Sequence, residues 1–287
     1  MELELKRGQV ASVTANQIRQ YMDAHTAEDY LLVDVRQPEE YEQHHIPGAR
    51  LIPLLDVEER IAEIQTSPEP VKIFYCHSGS RSAYAARIAL DYGVENVVNM
   101  TGGIVAWRGE ILPSMPNLRA FEDADSVHEA LIAALDLEKG AHRLYEALHE
   151  AFVDTPLERH LKKLVWAEAN HEHTIYQQLR KRSNQPVPSF EELMEKLRGD
   201  VIESGEPIDE VLATARQLAS FGGAAVLELA LELELRAFDM YRALAHGSSE
   251  PDSRAVFLDL ANQERAHAED VLHALAKITS DQSAWMG

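Results

Sequence analysis

At 287 residues the chain is long enough for two ordinary domains, each able to bury its own core. Hydrophobic residues make up 45% and charged residues 26%, a soluble globular balance, and the formal net charge of −21 argues against a nucleic-acid partner because an anionic surface repels phosphate. The opening MELELKRGQV lacks the apolar stretch of a signal peptide, and no apolar run approaches the roughly 18 residues of a membrane span, so a cytoplasmic protein with no membrane partner is expected.

In chain order, a helix is expected at 15–24, a strand at 31–35, helices at 38–44 and 57–64, a strand at 71–75, a helix at 82–92 and a strand at 94–99. Short β-rich apolar runs alternating with helices predict a parallel α/β sheet. The texture breaks at LPSMPN, whose two prolines read as a linker. Beyond Asp125 long helical periodicity is interrupted by Asp154-Thr155-Pro156, by a polar stretch at 181–206 and by 247–251, which predicts four long helices in two hairpins. Thr155, Pro156 and Glu158 suit a cap, a first-turn proline and a capping box for the second helix. The expected boundaries are an α/β domain at 1–115, a linker at 116–123, a four-helix bundle at 124–280 and a tail at 281–287. Acid is unevenly spread: residues 1–119 hold 17 acidic and 11 basic side chains, the rest 31 and 16. An acidic helical half is either a solvated surface or one that holds buried carboxylates in need of a cation.

The single cysteine can form no disulfide within the chain. Cys76 ends the apolar run 71–75 and opens Cys76-His77-Ser78-Gly79-Ser80-Arg81-Ser82, followed by an alanine-rich helix. A strand-to-helix turn aims several backbone N–H groups at one centre, and the helix dipole adds positive potential there. A thiol so placed has a lowered pKa and acts as a thiolate nucleophile; the other reading is a buried structural cysteine. Gly79 lets the backbone curl tightly and Arg81 supplies a fixed cation.

Over roughly residues 10–112 the chain resembles the rhodanese family. The matching pieces are Leu31-Leu32-Val33-Asp34-Val35-Arg36, Glu40-Tyr41, His45-Ile46-Pro47-Gly48-Ala49, the cysteine loop, and Gly102-Gly103-Ile104-Val105-Ala106-Trp107. The resemblance implies a rhodanese-like fold and a persulfide formed on Cys76. Sulfane sulfur would come from a small donor (thiosulfate, polysulfide or a low-molecular-weight persulfide) and pass to an acceptor thiol or cyanide. His77, Ser78, Gly79, Ser80 and Ser82 would form the persulfide loop, with Arg81 five positions after the cysteine, as in rhodaneses. The related phosphatase-type proteins have one more loop residue, which favours sulfur over phosphate or arsenate. Asp34 and Arg36 are expected to tie the sheet edge to its loop, His45 and Trp107 to pack, and the family's usual glycine before the histidine is replaced in HHIPGA without consequence.

The helical half contains an internal repeat. ALDLEKGAHRLYEAL at 134–148 recurs as ALELELRAFDMYRAL at 230–244, an offset of 96, and the same offset carries Glu168 and His171 onto Glu264 and His267. The unit is thus a glutamate followed 30 residues later by Glu-x-x-His: Glu138 then Glu168 and His171, Glu234 then Glu264 and His267. The midpoints, Val153 and Ser249, fall at the interhelical breaks, so an antiparallel hairpin sets each glutamate level with its Glu-x-x-His pair, both side chains of which share one helix face. Four gathered carboxylates and two imidazoles are costly as a bare core, and two divalent metals would neutralise them in the pattern of bundle di-iron and di-manganese sites.

Residues 124–278 resemble the ferritin-like superfamily, particularly rubrerythrins. That resemblance implies Glu138, Glu168, His171, Glu234, Glu264 and His267 as ligands of two metal ions, with Glu168 and Glu264 bridging. Iron is the expected metal, though the donor set also accepts manganese or zinc. Tyr145 and Tyr241 are read either as hydrogen-bond donors to ligand carboxylates or as core aromatics, and Glu172, His173, Glu228 and Glu232 as helix-surface residues. The isolated Glu146–His149 and Glu42–His45 pairs share the spacing without a duplicated partner. Two features depart from rubrerythrins: Ala237 stands where an extra carboxylate is usual, and one cysteine cannot build a rubredoxin centre.

The expected function is a sulfurtransferase working through Cys76, coupled to a dinuclear-metal bundle with peroxide- or oxygen-linked redox activity, in a homodimer. The alternatives are a peroxide-reducing or iron-holding protein with the first domain as sulfur carrier, or a bundle that serves as a metal-free dimerisation and docking module.

Overall fold

The computed structural model describes residues 2–183, 186–248 and 250–283. Two compact units emerge, one built on the residues up to Met115 and the other on most of the chain from Pro116 onward.

In the first unit, chain order runs β1 (Ala11–Thr14), α1 (Ala15–Asp23), β2 (Tyr30–Asp34), α2 (Pro38–Gln43), β3 (Arg50–Leu51), α3 (Ile61–Gln65), β4 (Val71–Tyr75), α4 (Ser80–Asp91) and β5 (Val97–Thr101). The strands form one parallel sheet in the order β1-β5-β4-β2-β3. Every residue of β2 and β4 is buried, which is why YLLVD and VKIFY carry little polar alternation. Successive side chains point to opposite faces: Tyr30, Leu32, Ile73 and Tyr75 pack with Ile18 and Tyr21 of α1, while Leu31, Val33 and Phe74 pack with Ile61 and Ile64 of α3 and Ala85, Ala86 and Ala89 of α4. Local signals place the helices. Thr14 and Gln17 form a capping box on α1, and Pro38 begins α2.

Three details differ from the sequence expectation. The run 94–99 enters the sheet only at Val97, because Gly93 and Asn96 take positive φ values of 88° and 53° and turn the chain first. The helix expected at 57–64 is a 3-10 turn, Leu54–Asp56, followed after a further turn by the short α3. The edge strands β1 and β3 are too short to show as periodicity.

The second unit contains α5 (Val127–Ala151), α6 (Glu158–Arg182), α7 (Phe190–Met194), α8 (Ile208–Leu218), α9 (Gly223–Gly247) and α10 (Pro251–Ser283). Four of these are the long helices; the polar stretch between the hairpins holds α7 and a tight turn, and α8 follows it. The cap expected at Thr155 is displaced. Its hydroxyl donates to the Phe152 carbonyl at 2.6 Å and accepts from the Leu157 amide, so α6 starts later, at Glu158, whose carboxylate accepts from the Asp154 amide at 3.0 Å. Ser249, the expected midpoint of the second hairpin, lies outside the described residues, as do residues 284–287 of the expected tail. Among the described residues no helix is long and apolar enough to cross a membrane.

Candidate active site and metal centre

Cys76 lies one residue beyond β4 at 1% exposure. The turn to α4 brings the Gly79 amide to 3.1 Å from its sulfur and the Ser82 hydroxyl to 3.5 Å. Gly79 has φ 102°, and an added Cβ would press on the Gly102 amide and Met100 carbonyl at 3.1 and 3.2 Å. The Gly102-Gly103 segment braces the loop from outside: Ile104 and Val105 donate to the carbonyls of Cys76 and His77, an approach a Cβ on Gly103 would block at 2.4 Å. His77, Ser78 and Ser80 are exposed at the rim, and Ser82 is buried.

Burial pushes the Cys76 thiol up, but hydrogen bonds from the Ser82 hydroxyl and from the amides of Ser82, Gly79 and Ser78 outweigh it, so the thiol titrates below its ordinary value. Arg81 makes a two-pronged pair with Glu40 at 2.6 and 2.7 Å and also feels the charge of Cys76. Its hydrogen bonds hold the Glu40 carboxyl down at about 2. Asn99 Oδ1 of β5 lies 2.7 Å from the Ser82 oxygen and shares that hydroxyl's single proton with the Cys76 sulfur. Neither Glu40 nor Asn99 was marked by sequence reasoning as part of the loop's surroundings; a buried asparagine within VVNMT was the available signal. The remaining motif residues are structural. Arg36 clasps Asp34 at 2.7–3.0 Å and donates to the carbonyls of Glu40 and His44, His45 stacks on Tyr41 at 3.8 Å, and the Trp107 indole donates to the Glu110 carbonyl.

In the second unit, Glu138 on α5, Glu168 and His171 on α6, Glu234 on α9, and Glu264 and His267 on α10 all come together. Donor atoms of Glu168, His171, Glu264 and His267 fall within 4.8 Å of one another. His171 Nδ1 is 3.0 Å from Glu138, 3.0 Å from Glu264 and 3.4 Å from Glu168. Glu264 turns its other oxygen toward His267, at 3.6 Å. The tyrosines cross over: Tyr145 of α5 donates to Glu234 of α9, and Tyr241 of α9 donates to Glu138 of α5.

The electrostatics follow from packing so many carboxylates in a dry core. Burial drives Glu168 and Glu234 upward. Burial also pushes Glu264 up, but His171 and His267 outweigh it and hold that carboxyl at about 2. Burial lowers the imidazoles less than the carboxylates raise them, so His171 rises and His267 reaches about 10. A divalent pair fits the donor set, which is all carboxylate oxygen and imidazole nitrogen. It also fits Glu234 Oε2 and His267 Nδ1, an ion pair buried 3.4 Å apart in which neither atom makes a hydrogen bond among the described residues.

Two carboxylates depart from the sequence reading. Glu172 is not a surface residue; it is 5% exposed because His142, level with it on α5, binds it through Nδ1 at 3.0 Å. His173 and Glu228 are exposed, and Glu232 pairs with Arg236 at the surface. Glu203, from the polar stretch between the hairpins, is buried and lines a cavity with Glu168, Glu234 and Glu264.

A five-stranded parallel sheet with a cysteine loop at the end of a central strand defines the class of rhodanese-like proteins, and the second unit is a helical domain of rubrerythrin type. Residues 14–110 match the rhodanese-like domain and residues 225–285 match rubrerythrin, a segment that includes Glu234, Glu264 and His267. The chain is 41% identical to a sulfurtransferase of Allochromatium vinosum over 30% of its own length and 78% of that protein's. It is 42% identical to the thiosulfate sulfurtransferase PspE of Escherichia coli, over 24% of this chain and 67% of PspE. Against the putative sulfur carrier protein YrkF of Bacillus subtilis the identity is 44%, over 28% of this chain and only 42% of YrkF. This chain belongs to the rhodanese-like family and carries a rubrerythrin domain after its rhodanese-like one.

Proposed function

We propose that the protein is a sulfurtransferase that moves sulfane sulfur through a persulfide on Cys76. The observation that carries this reading is the convergence of the Gly79 amide and the Ser82 hydroxyl on the Cys76 sulfur, which lowers its pKa. With thiosulfate as donor, the Cys76 thiolate attacks the outer sulfur, the S–S bond to the sulfonate sulfur breaks, and sulfite leaves with the electron pair. The loop amides then hold the Cys76 persulfide anion. An acceptor thiolate attacks the terminal sulfur, and Cys76 leaves as thiolate. Arg81, close to the sulfur, adds positive charge for the anionic donor. The name of the E. coli relative supports thiosulfate as the donor to try first.

The second part of the proposal is that Glu138, Glu168, His171, Glu234, Glu264 and His267 hold two metal ions, iron by resemblance. A bound iron pair would supply redox chemistry toward oxygen or peroxide. The protein's own residues would orient the ligands and exclude bulk water: Tyr145 and Tyr241 fix two carboxylates, and all four glutamates are buried. Coupling between the two activities, a cytoplasmic location and a homodimer complete the reading.

Thiosulfate-dependent sulfur transfer to cyanide or a thiol, measured for the wild type and Cys76→Ser, tests the first part; activity surviving in Cys76→Ser refutes it. Metal content per chain, for the wild type and Glu168→Ala/Glu264→Ala after expression with iron, tests the second. About two redox-active ions in the wild type, lost in the variant, are expected for a dinuclear site.

A further inference from the structure

Glu203 belongs to none of the pairs described above. It is 7% exposed, it shares a cavity with Glu168, Glu234 and Glu264, and its Oε1 makes no hydrogen bond among the described residues. A buried carboxylate oxygen without a donor is costly, more so beside three other carboxylates.

The surrounding chain holds Glu203 there rather than letting it escape to water. One face of α5 grips the segment before it. Asp136 accepts from the Gly199 amide at 2.9 Å, Lys139 donates to the carbonyls of Met194 and Leu197 at 2.6 and 2.8 Å, and Arg143 donates to those of Arg198 and Gly199 at 2.8 and 2.6 Å. Amid these residues α5 has Gly140, where a Cβ would lie 2.1 Å from the Val201 carbonyl oxygen. A side chain of any kind at Gly140 would push the segment off the helix. The turn then closes on itself through Ile202 to Glu206, Gly205 to Ile202 and Ile208 to Asp200. The other half of the repeat has Arg236 in the place of Gly140, so the sequence provides this docking groove only once. Within the cavity, Ala237 contributes only a methyl group one helical turn beyond Glu234, which leaves room for a carboxylate arriving from elsewhere.

We propose that Glu203 is an additional ligand carboxylate of the dinuclear site, delivered by the clamped 199–207 turn into the space beside Ala237. The inference rests on the metal-binding reading above and adds a seventh ligating residue, from outside the repeat. A purely structural role does not explain it, since Oε1 supports no other group among the described residues. The metal pair is the cation that would satisfy it.

Cobalt(II) titration of the full-length apoprotein, followed by its visible absorption and by competition with a chelator, tests this with wild type, Glu203→Gln, Glu203→Ala and Glu203→Ala/Ala237→Glu. The expected result is two ions in wild type. Both single variants should weaken at least one ion by about tenfold or more and alter the ligand-field spectrum, and the relocated carboxylate should recover affinity in the double variant. Metal-free Glu203→Gln should melt no lower than wild type, which separates ligand loss from misfolding. Folded Glu203→Gln and Glu203→Ala that bind two ions with wild-type affinity and spectrum would overturn the role of Glu203 while leaving the dinuclear site standing. A wild type that binds no stoichiometric cobalt or iron would overturn the metal-binding reading, and this inference with it.

Discussion

Tyr241 donates its hydroxyl hydrogen to Glu138, 103 residues earlier in the chain, while Tyr145 donates to Glu234 in the reverse sense. Each hairpin thus orients the carboxylate of the other. Burial pushes both phenols well above their ordinary value, so they remain donors throughout the working pH range. The glutamates cannot swing away without breaking a contact between hairpins.

Removing either hydroxyl should loosen its carboxylate without removing a ligand. Tyr241→Phe and Tyr145→Phe are each expected to keep two-metal stoichiometry but lose about 10- to 100-fold in affinity, as for other residues that orient metal ligands. Chelator competition measures this, and unchanged affinity in both variants would show that the tyrosines only pack.

Ser82→Ala removes a hydrogen bond to the Cys76 sulfur. Because that bond favours the thiolate, its loss raises the thiol pKa, and the alkylation-rate profile against pH should move to higher pH. At neutral pH, iodoacetamide should react about fivefold more slowly, the worth of one ordinary hydrogen bond. A faster or unshifted reaction would contradict the loop's proposed role.

Arg81 divides its charge between Glu40 and the sulfur site. Arg81→Ala is expected to lower kcat/KM for thiosulfate by about 10- to 100-fold, the range of a charged hydrogen bond, and Glu40→Gln to leave it unchanged or raised. The Glu40 carboxyl is held at about 2, below its unfolded value. Its pairing therefore stabilises the fold above the unfolded carboxyl pKa and fades as pH falls toward 2. Both side chains are about one-third exposed, so the pair contributes only up to about 1 kcal/mol, read from the acid limb of a Tm-versus-pH curve.

Two glycines are expected to resist even alanine. Gly103→Ala meets the Cys76 and His77 carbonyl oxygens at 2.4 Å and needs a φ of 55°. It should cost about 1–3 kcal/mol and disturb Cys76 reactivity together with Tm. Gly140→Ala should cost a similar amount through overpacking, but its signature is reduced metal affinity, because the turn carrying Glu203 is displaced. Unaltered melting in both would show that the backbone yields more easily than these distances imply.

Sequence determined whatever is local or repeated. The Cys76 cradle was legible because the groups that act on its sulfur lie within six residues of it, on a turn that a strand, Gly79 and a helix start specify together. The six residues of the glutamate and Glu-x-x-His units were legible because an offset of 96 and a spacing of 30 set them level across antiparallel helices. Tertiary packing alone decided who stands opposite whom. Helical periodicity marks a buried face but does not name its partner, so Glu172 read as surface until His142 came to face it. The tyrosines' exchange of carboxylates needs two hairpins packed together, and Arg81 finds Glu40 from 41 residues away. Glu203 has no repeat counterpart and lies in the polar stretch that interrupts the helical periodicity. It enters the core only because Gly140 lets a backbone carbonyl lie against α5, a close approach between parts of the chain 61 residues apart.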